Sequence, residues 1–165
     1  MFTLQCTKKL LDRIKPEIGL PQGGTTRMGN WYATVLFWKP HMALLVNERT
    51  LLPVVMPLAP ASTLAQRFPL ALQGVLVALG LPTEFIQTEI KGMSEVNYAK
   101  TSNRSVLGVM NEMTNLAHGY RDRGGIEDPL SLSLKLAGTP CGPLYKGPIS
   151  PDKAVRELVC GGAIH

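Results

Sequence analysis

Three apolar stretches follow one another between residues 31 and 58: WYATVLFW, MALLVNERT and LLPVVMPLA. Each has the length and the β-branched and aromatic content of a strand. Lys39-Pro40-His41 separates the first two and suits a short reversal, so residues 31–58 predict a three-strand antiparallel meander. Pro53 and Pro57 have no N–H to give to a ladder, which puts the third strand at an edge or at a bulge.

The rest of the chain alternates helix signals with two more strands. FTLQC at residues 2–6 reads as a strand, and Thr7 stands where it would cap a helix, KKLLDRIK, that Pro16 stops. Residues 16–30, PEIGLPQGGTTRMGN, are a loop long enough to be either mobile or functional. Ser62 stands where it would cap STLAQRF, and Pro69 either kinks that run or opens a helix, PLALQGVLVAL. This last segment is apolar nearly all round and is expected at the centre of the core. Gly80 ends it, Pro82 opens PTEFIQTEIK, and Gly92 stops that helix in turn. SEVNYAK, residues 94–100, alternates as a strand and feeds a helix. In DPLSLSLKLA, residues 128–137, the Leu spacing is strand-like but Asp128-Pro129 opens helices, and helix is the expectation. TPCGPLYKGPIS is a loop, and Ser150-Pro151-Asp152 begins a last helix through Cys160.

The fold class is therefore α+β. A single domain over residues 1–165 is expected, with an antiparallel sheet of the N-terminal strand, the 31–58 meander and the 94–100 strand, packed against several helices. A chain of 165 residues buries roughly two thirds of its unfolded surface and needs no staple. Cys6, Cys141 and Cys160 are odd in number and share no metal spacing with the scattered His41, His118 and His165. That argues against a disulfide framework and structural zinc, and for a reducing compartment, by default the cytoplasm. The opening MFTLQCTKKLLDRIK has no apolar core of a signal peptide, and runs such as LALQGVLVALG fall short of the roughly 18 residues that span a bilayer. No membrane partner is expected. The net charge of +5 favours acidic partners, though no block of five or six basic residues is present.

The helix in KTSNRSVLGVMNEMTNLAHGY, residues 100–120, carries the most informative polar side. At about 100° per residue, Val106, Leu107, Val109, Met110, Met113, Leu116, Ala117 and Tyr120 share one half of it and face the core. The other half holds Arg104, Gly108, Asn111, Asn115 and His118, with Ser105 and Glu112 beside them. Arg104, Asn111 and His118, seven apart, form an axial row. Ser102 or Asn103 caps the helix, and the N–H groups near Arg104 and Ser105, with Lys100 just before, suit an anion. Such a row either bonds a neighbouring loop, with Gly108 allowing close packing, or holds a ligand or partner. Asn47-Glu48-Arg49-Thr50 is either a plain turn between two strands or a rim that brings Glu48 or Arg49 to the helix.

No nucleophile motif, phosphate loop, carboxylate pair or metal set accompanies His118 and Glu112, so no catalytic residue and no cofactor are assigned. The aromatic residues Trp31, Tyr32, Phe37 and Trp38 are expected in the core or an interface. A base-stacking platform needs interleaved basic residues, and only Lys39 is near them in the chain.

CTKKLL, NERTLLPV and KTSNRSVLGVMNE occur in that order. Together they resemble an uncharacterised family of small bacterial proteins, a domain of unknown function, over nearly the whole chain. The resemblance implies an intracellular domain of bacterial or phage origin and carries no activity across to this chain. Its recurring positions coincide with Asn47, Glu48, Arg49 and Thr50, and with Arg104, Ser105, Gly108 and Asn111; Glu112 stands where Asp is usual. The leading functional expectation is a small basic binding module for an anionic partner, nucleic acid or an acidic protein, in a mobile-element or defence setting. Its tentative site is Asn47, Glu48, Arg49, Lys100, Arg104, Ser105, Asn111, Glu112 and His118. The alternatives are an enzyme on a nucleotide-like or phosphorylated substrate, with Glu112 or His118 moving protons, Arg104 steadying negative charge and His118 and Arg49 in one pocket, and a structural or interaction protein that pairs through its meander edge or a Trp/Met-rich surface.

Overall fold

The structure is a computed structural model that describes residues 1–124 and 128–164, with side chains through Gly161. His165, one of the scattered histidines, lies outside the described residues. Five strands, β1 (Phe2–Cys6), β2 (Trp31–Leu36), β3 (Met42–Asn47), β4 (Pro53–Pro57) and β5 (Val96–Lys100), form one sheet in the order β4-β3-β2-β1-β5. β2, β3 and β4 are the expected antiparallel meander, with Tyr32 opposite Val46 and Leu45 opposite Val54. β1 lies between β2 and β5 and runs parallel to both, Leu4 facing Trp31 on one side and Tyr98 on the other. The α+β class and the five strands stand, but the sheet is mixed rather than antiparallel throughout. A period of two marks a strand without giving its direction, and the long connection between β1 and β2 supplies the crossover that a parallel pair requires.

Six helices cover the sheet: α1 (Lys8–Ile14), α2 (Leu64–Ala78), α3 (Thr83–Lys91), α4 (Arg104–Asp122), α5 (Pro129–Ala137) and α6 (Pro151–Ile164). Phe2, Leu4, Trp31, Val35, Leu45 and Val54 face α1, α2 and α3, meeting Leu10, Phe68, Leu72 and Phe85. Tyr32, Leu36, Leu44, Val46 and Val55 face the other way, onto α4 and α5 through Val109, Met113, Leu132 and Leu136. With both faces covered, the strands are buried on each side, which explains their apolar sequence. The buried face of α4 is the half assigned to it by periodicity, and Asn103 caps it by accepting from Ser105 N and Val106 N.

α2 departs from expectation. It runs unbroken through Pro69, beginning at Leu64 after a single 3-10 turn, Ala61–Thr63, and Ser62 makes no capping bond. Arg67 instead ties its start to the end of β4, donating to the carbonyls of Pro57, Leu58 and Pro60 at 2.8–3.0 Å. Phe68, Leu72, Val75 and Leu76 enter the core, but Leu70 and Val77 are 74% and 60% exposed. The helix belongs to an outer layer, so only one side is covered despite apolar residues all round. At the first helix Thr7 also fails as a side-chain cap, because its hydroxyl meets that of Thr34 at 3.0 Å.

The 16–30 loop is held by the sheet. Gly19 N donates to Tyr98 O at 2.9 Å and Asn97 Nδ2 to Leu20 O at 3.0 Å, so this segment lies along the outer edge of β5. Further on, Thr3 Oγ1 and Asn30 Nδ2 both donate to Gln22 O, at 2.7 and 2.6 Å.

The opposite edge, β4, is closed differently. Val55 N donates outward to Ser133 Oγ of α5 at 2.8 Å, and that hydroxyl donates onward to Pro129 O at 2.8 Å. Residues on the same side of a strand recur every second position. The neighbouring outward positions are therefore 53 and 57, where proline has no N–H at all. This satisfies the edge expectation for Pro53 and Pro57 and leaves the edge without a free donor at 53, 55 or 57. Ser133→Ala orphans the buried Val55 N–H and is expected to cost about 1–3 kcal/mol in urea unfolding, whereas Ser131→Ala, at an exposed position, should cost clearly less.

Candidate functional site

The sequence-predicted residues fall into two groups, one in the β3–β4 turn and one along α4, which starts against Tyr32 and ends against Trp38. Asn47 closes the turn. Its buried amide donates to Met28 O at 2.9 Å and Asn30 O at 3.2 Å, and its Oδ1 accepts from Arg49 N, Thr50 N and Thr50 Oγ1 at 3.1, 2.9 and 2.9 Å. Both amide hydrogens and the oxygen are thus consumed by the β3–β4 turn and the loop entering β2. Glu48, half-buried, donates its N–H to Asn30 O at 3.1 Å. Arg49 folds over Gly29, whose φ of +71° fits glycine there, and donates to Arg27 O at 2.6 Å. The NERT segment is a turn that locks two loops together.

α4 presents the second group. Arg104, Ser105, Asn111 and Glu112 are exposed, as is Lys100 at the end of β5, and a Cβ added at Gly108 would meet nothing within 4 Å. Asn103 Oδ1 already occupies the N–H groups of Ser105 and Val106, at 2.9 and 3.2 Å, which removes most of the anion site expected at this helix start. Arg49 does not reach His118: the six residues of β3 separate the turn from the end of the sheet where His118 meets Trp38, about 17 Å of strand.

Of the axial row, His118 alone joins a cluster. Its Nδ1 accepts from Trp38 Nε1 at 2.9 Å, so in the neutral ring the proton sits on Nε2. Trp38 and the preceding Phe37 leave the end of β2 on opposite sides. The guanidinium of Arg121, from the last turn of α4, lies 4.9 Å from the Trp38 ring centre. On the other side, Lys9 and Arg13 of α1 stand 5.8 and 5.6 Å from the centre of Phe37, and His41 meets that ring edge-on at 5.3 Å. Phe37 is 49% exposed. Beside Trp38 opens a cavity of about 400 Å³, walled by Met42, Val55, Leu132 and three prolines, with Lys39, Arg121 and Asp128 as its charged members. Asp128 is engaged as the cap of α5, through Leu130 N and Ser131 N, both at 3.3 Å. Among the described residues the one ion pair is Arg156–Asp152 at 3.8 Å, so Lys9, Arg13, Lys39 and Arg121 have no carboxylate partner there.

Sequence reasoning missed this cluster because it sought basic residues next to Phe37 and Trp38 in the chain. They arrive instead from α1 and α4, over 20 and 80 positions away. The signal available was the exposed-turn tripeptide Phe37-Trp38-Lys39, two large rings at a strand end.

The thiols are poor nucleophiles where they are buried. Burial pushes Cys6 up to about 12, and burial reinforced by the Glu112 charge pushes Cys141 up to about 11. At pH 8 a thiol-reactive dye should label the exposed Cys160 alone, and unfolding should release the other two. At the closed end of the sheet, Asn47→Ala removes the amide's bond to Met28 O and leaves Arg49 N and the two Thr50 donors without Oδ1, while Asn30 O keeps Glu48 N–H; it should cost about 3 kcal/mol by denaturant titration, and Arg49→Ala should stay under about 1 kcal/mol.

No helix among the described residues is long and apolar enough to cross a membrane. No curated protein and no solved structure matches the chain. A family described as "Domain of unknown function (DUF6933)" matches residues 3–154. The match takes in the sheet from its second residue onward, the NERT turn, α4 and the cluster around Phe37 and Trp38, and the chain is therefore a member of that family of domains of unknown function.

Proposed function

We propose that the chain is a small basic binding module that takes a polyanionic partner at the corner between β2 and β3, with nucleic acid favoured over an acidic protein by the rings that accompany the charges. One observation carries the reading. Lys9, Arg13 and Arg121 stand within 4.9–5.8 Å of the Phe37 and Trp38 ring centres, with no carboxylate partner among the described residues. Unpaired surface cations are common. Cations brought from two helices onto two adjacent aromatic rings, one of them half exposed, are not. The net charge of +5 gives the same sign to the long-range field. Lys100 and Arg104 extend the basic surface along the side of α4. The proposed setting is the reducing cytoplasm, which three free cysteines support.

The enzymatic alternative draws no support from a shared His118–Arg49 pocket, since the two lie at opposite ends of β3, and the edge-pairing alternative draws none from β4 donors, since positions 53, 55 and 57 offer no free N–H.

The protein should bind heparin and a single-stranded DNA oligonucleotide at low salt and release both as salt rises. Arg13→Ala/Arg121→Ala should weaken oligonucleotide binding and reduce the slope of log affinity against log salt by about 1.4, for two lost phosphate contacts. Arg104→Ala/Asn111→Ala should change it less; the reverse ranking would move the site to α4. Complete flow-through from heparin at low salt would remove the polyanion reading altogether.

A further inference from the structure

The corner offers more than charge. Phe37 and Trp38 are consecutive, so their side chains leave the strand end in opposite directions, one towards α1 and the other towards α4. Phe37 is half exposed, with Lys9 and Arg13 over its ring at 5.8 and 5.6 Å from the centre, so a base that stacks there meets the ring and the cations together. Trp38 cannot rotate freely, because its indole N–H is bonded to His118 Nδ1 at 2.9 Å. Its cavity, about 400 Å³ with Met42, Val55 and Leu132 as apolar wall and Arg121 and Lys39 as exposed cations, lies in the size range of sites for small planar ligands. Lys39 sits at the turn between the two rings in the chain.

An acidic protein or a duplex could use the cations, but neither presents free planar faces to the rings: in a duplex each base is stacked on its neighbours. An unpaired strand supplies planar faces and phosphates in alternation, which is the pattern of rings and cations at this corner. We propose that the corner binds single-stranded nucleic acid, with one base seated in the Trp38 cavity and a nearby base stacked on Phe37, while phosphates pass over Lys39 towards Lys9, Arg13 and Arg121. The proposal deepens the polyanion reading and rests on it.

The test compares, by fluorescence anisotropy at one fixed salt concentration, a labelled oligo(dT), an abasic oligomer of the same length and charge, a duplex, an acidic peptide and heparin. Oligo(dT) should bind about tenfold or more tightly than the abasic strand, and it should quench tryptophan emission where heparin does not. Phe37→Ala, a change at a half-exposed side chain, should weaken oligo(dT) by about tenfold and heparin clearly less, with an unchanged far-UV circular dichroism spectrum to show that the variant is folded. Equal affinity for the abasic strand, or tighter binding of the duplex or the peptide, overturns the base-stacking proposal and leaves the polyanion reading standing. Absence of binding to every polyanion overturns both.

Discussion

Helices on both faces of the sheet decide where this protein can meet anything else. Trp31, Leu45 and Val54 are sealed beneath α2 and α3, while Leu44, Val46 and Val55 are sealed beneath α4 and α5. The sides are closed as well, by the 16–30 loop along β5 and by Ser133 with two prolines along β4. Backbone groups buried in such a stack must be paired within it. What remains of the sheet for contact with solvent is its two ends.

Those ends have opposite chemistry. At one, Asn47 spends its whole amide on the chain itself, and Arg49 lies down over Gly29 to reach the Arg27 carbonyl. Polar groups so fully engaged hold loops in register and have little left for a visitor. At the other end, Phe37 is half exposed, Trp38 borders a cavity, and Lys9, Arg13 and Arg121 stand at their rings without a carboxylate partner among the described residues. The NERT segment proves to be mortar, and of the four aromatic residues expected in the core or an interface Trp31, Tyr32 and Trp38 are buried while Phe37 stands half exposed at the open corner.

Much of this was legible from local pattern. The meander, its proline-bearing edge strand, the Asn103 and Asp128 caps and the apolar half of α4 all follow from spacing and from what each side chain can do to the backbone nearest it. What escaped depends on distant parts of the chain meeting. Nothing in FTLQC announces that it will lie parallel between Trp31–Leu36 and Val96–Lys100, because a two-residue period carries neither direction nor neighbour. The apolar circumference of α2 suggested burial all round, whereas an outer helix has one partner layer and Leu70 and Val77 stay outside. Lys9 and Arg121 reach Phe37 and Trp38 only once the sheet has set α1 and α4 on its two faces.

The treatment of β4 has a bearing on how many copies of this chain can share a small volume. A sheet grows into a fibre by recruiting another molecule's backbone along an unguarded flank. Here imino acids at two positions and one serine hydroxyl at the third leave no outward N–H free. A neighbour's strand laid along this flank would find only acceptors, and the ladder it could form would lack half of its bonds.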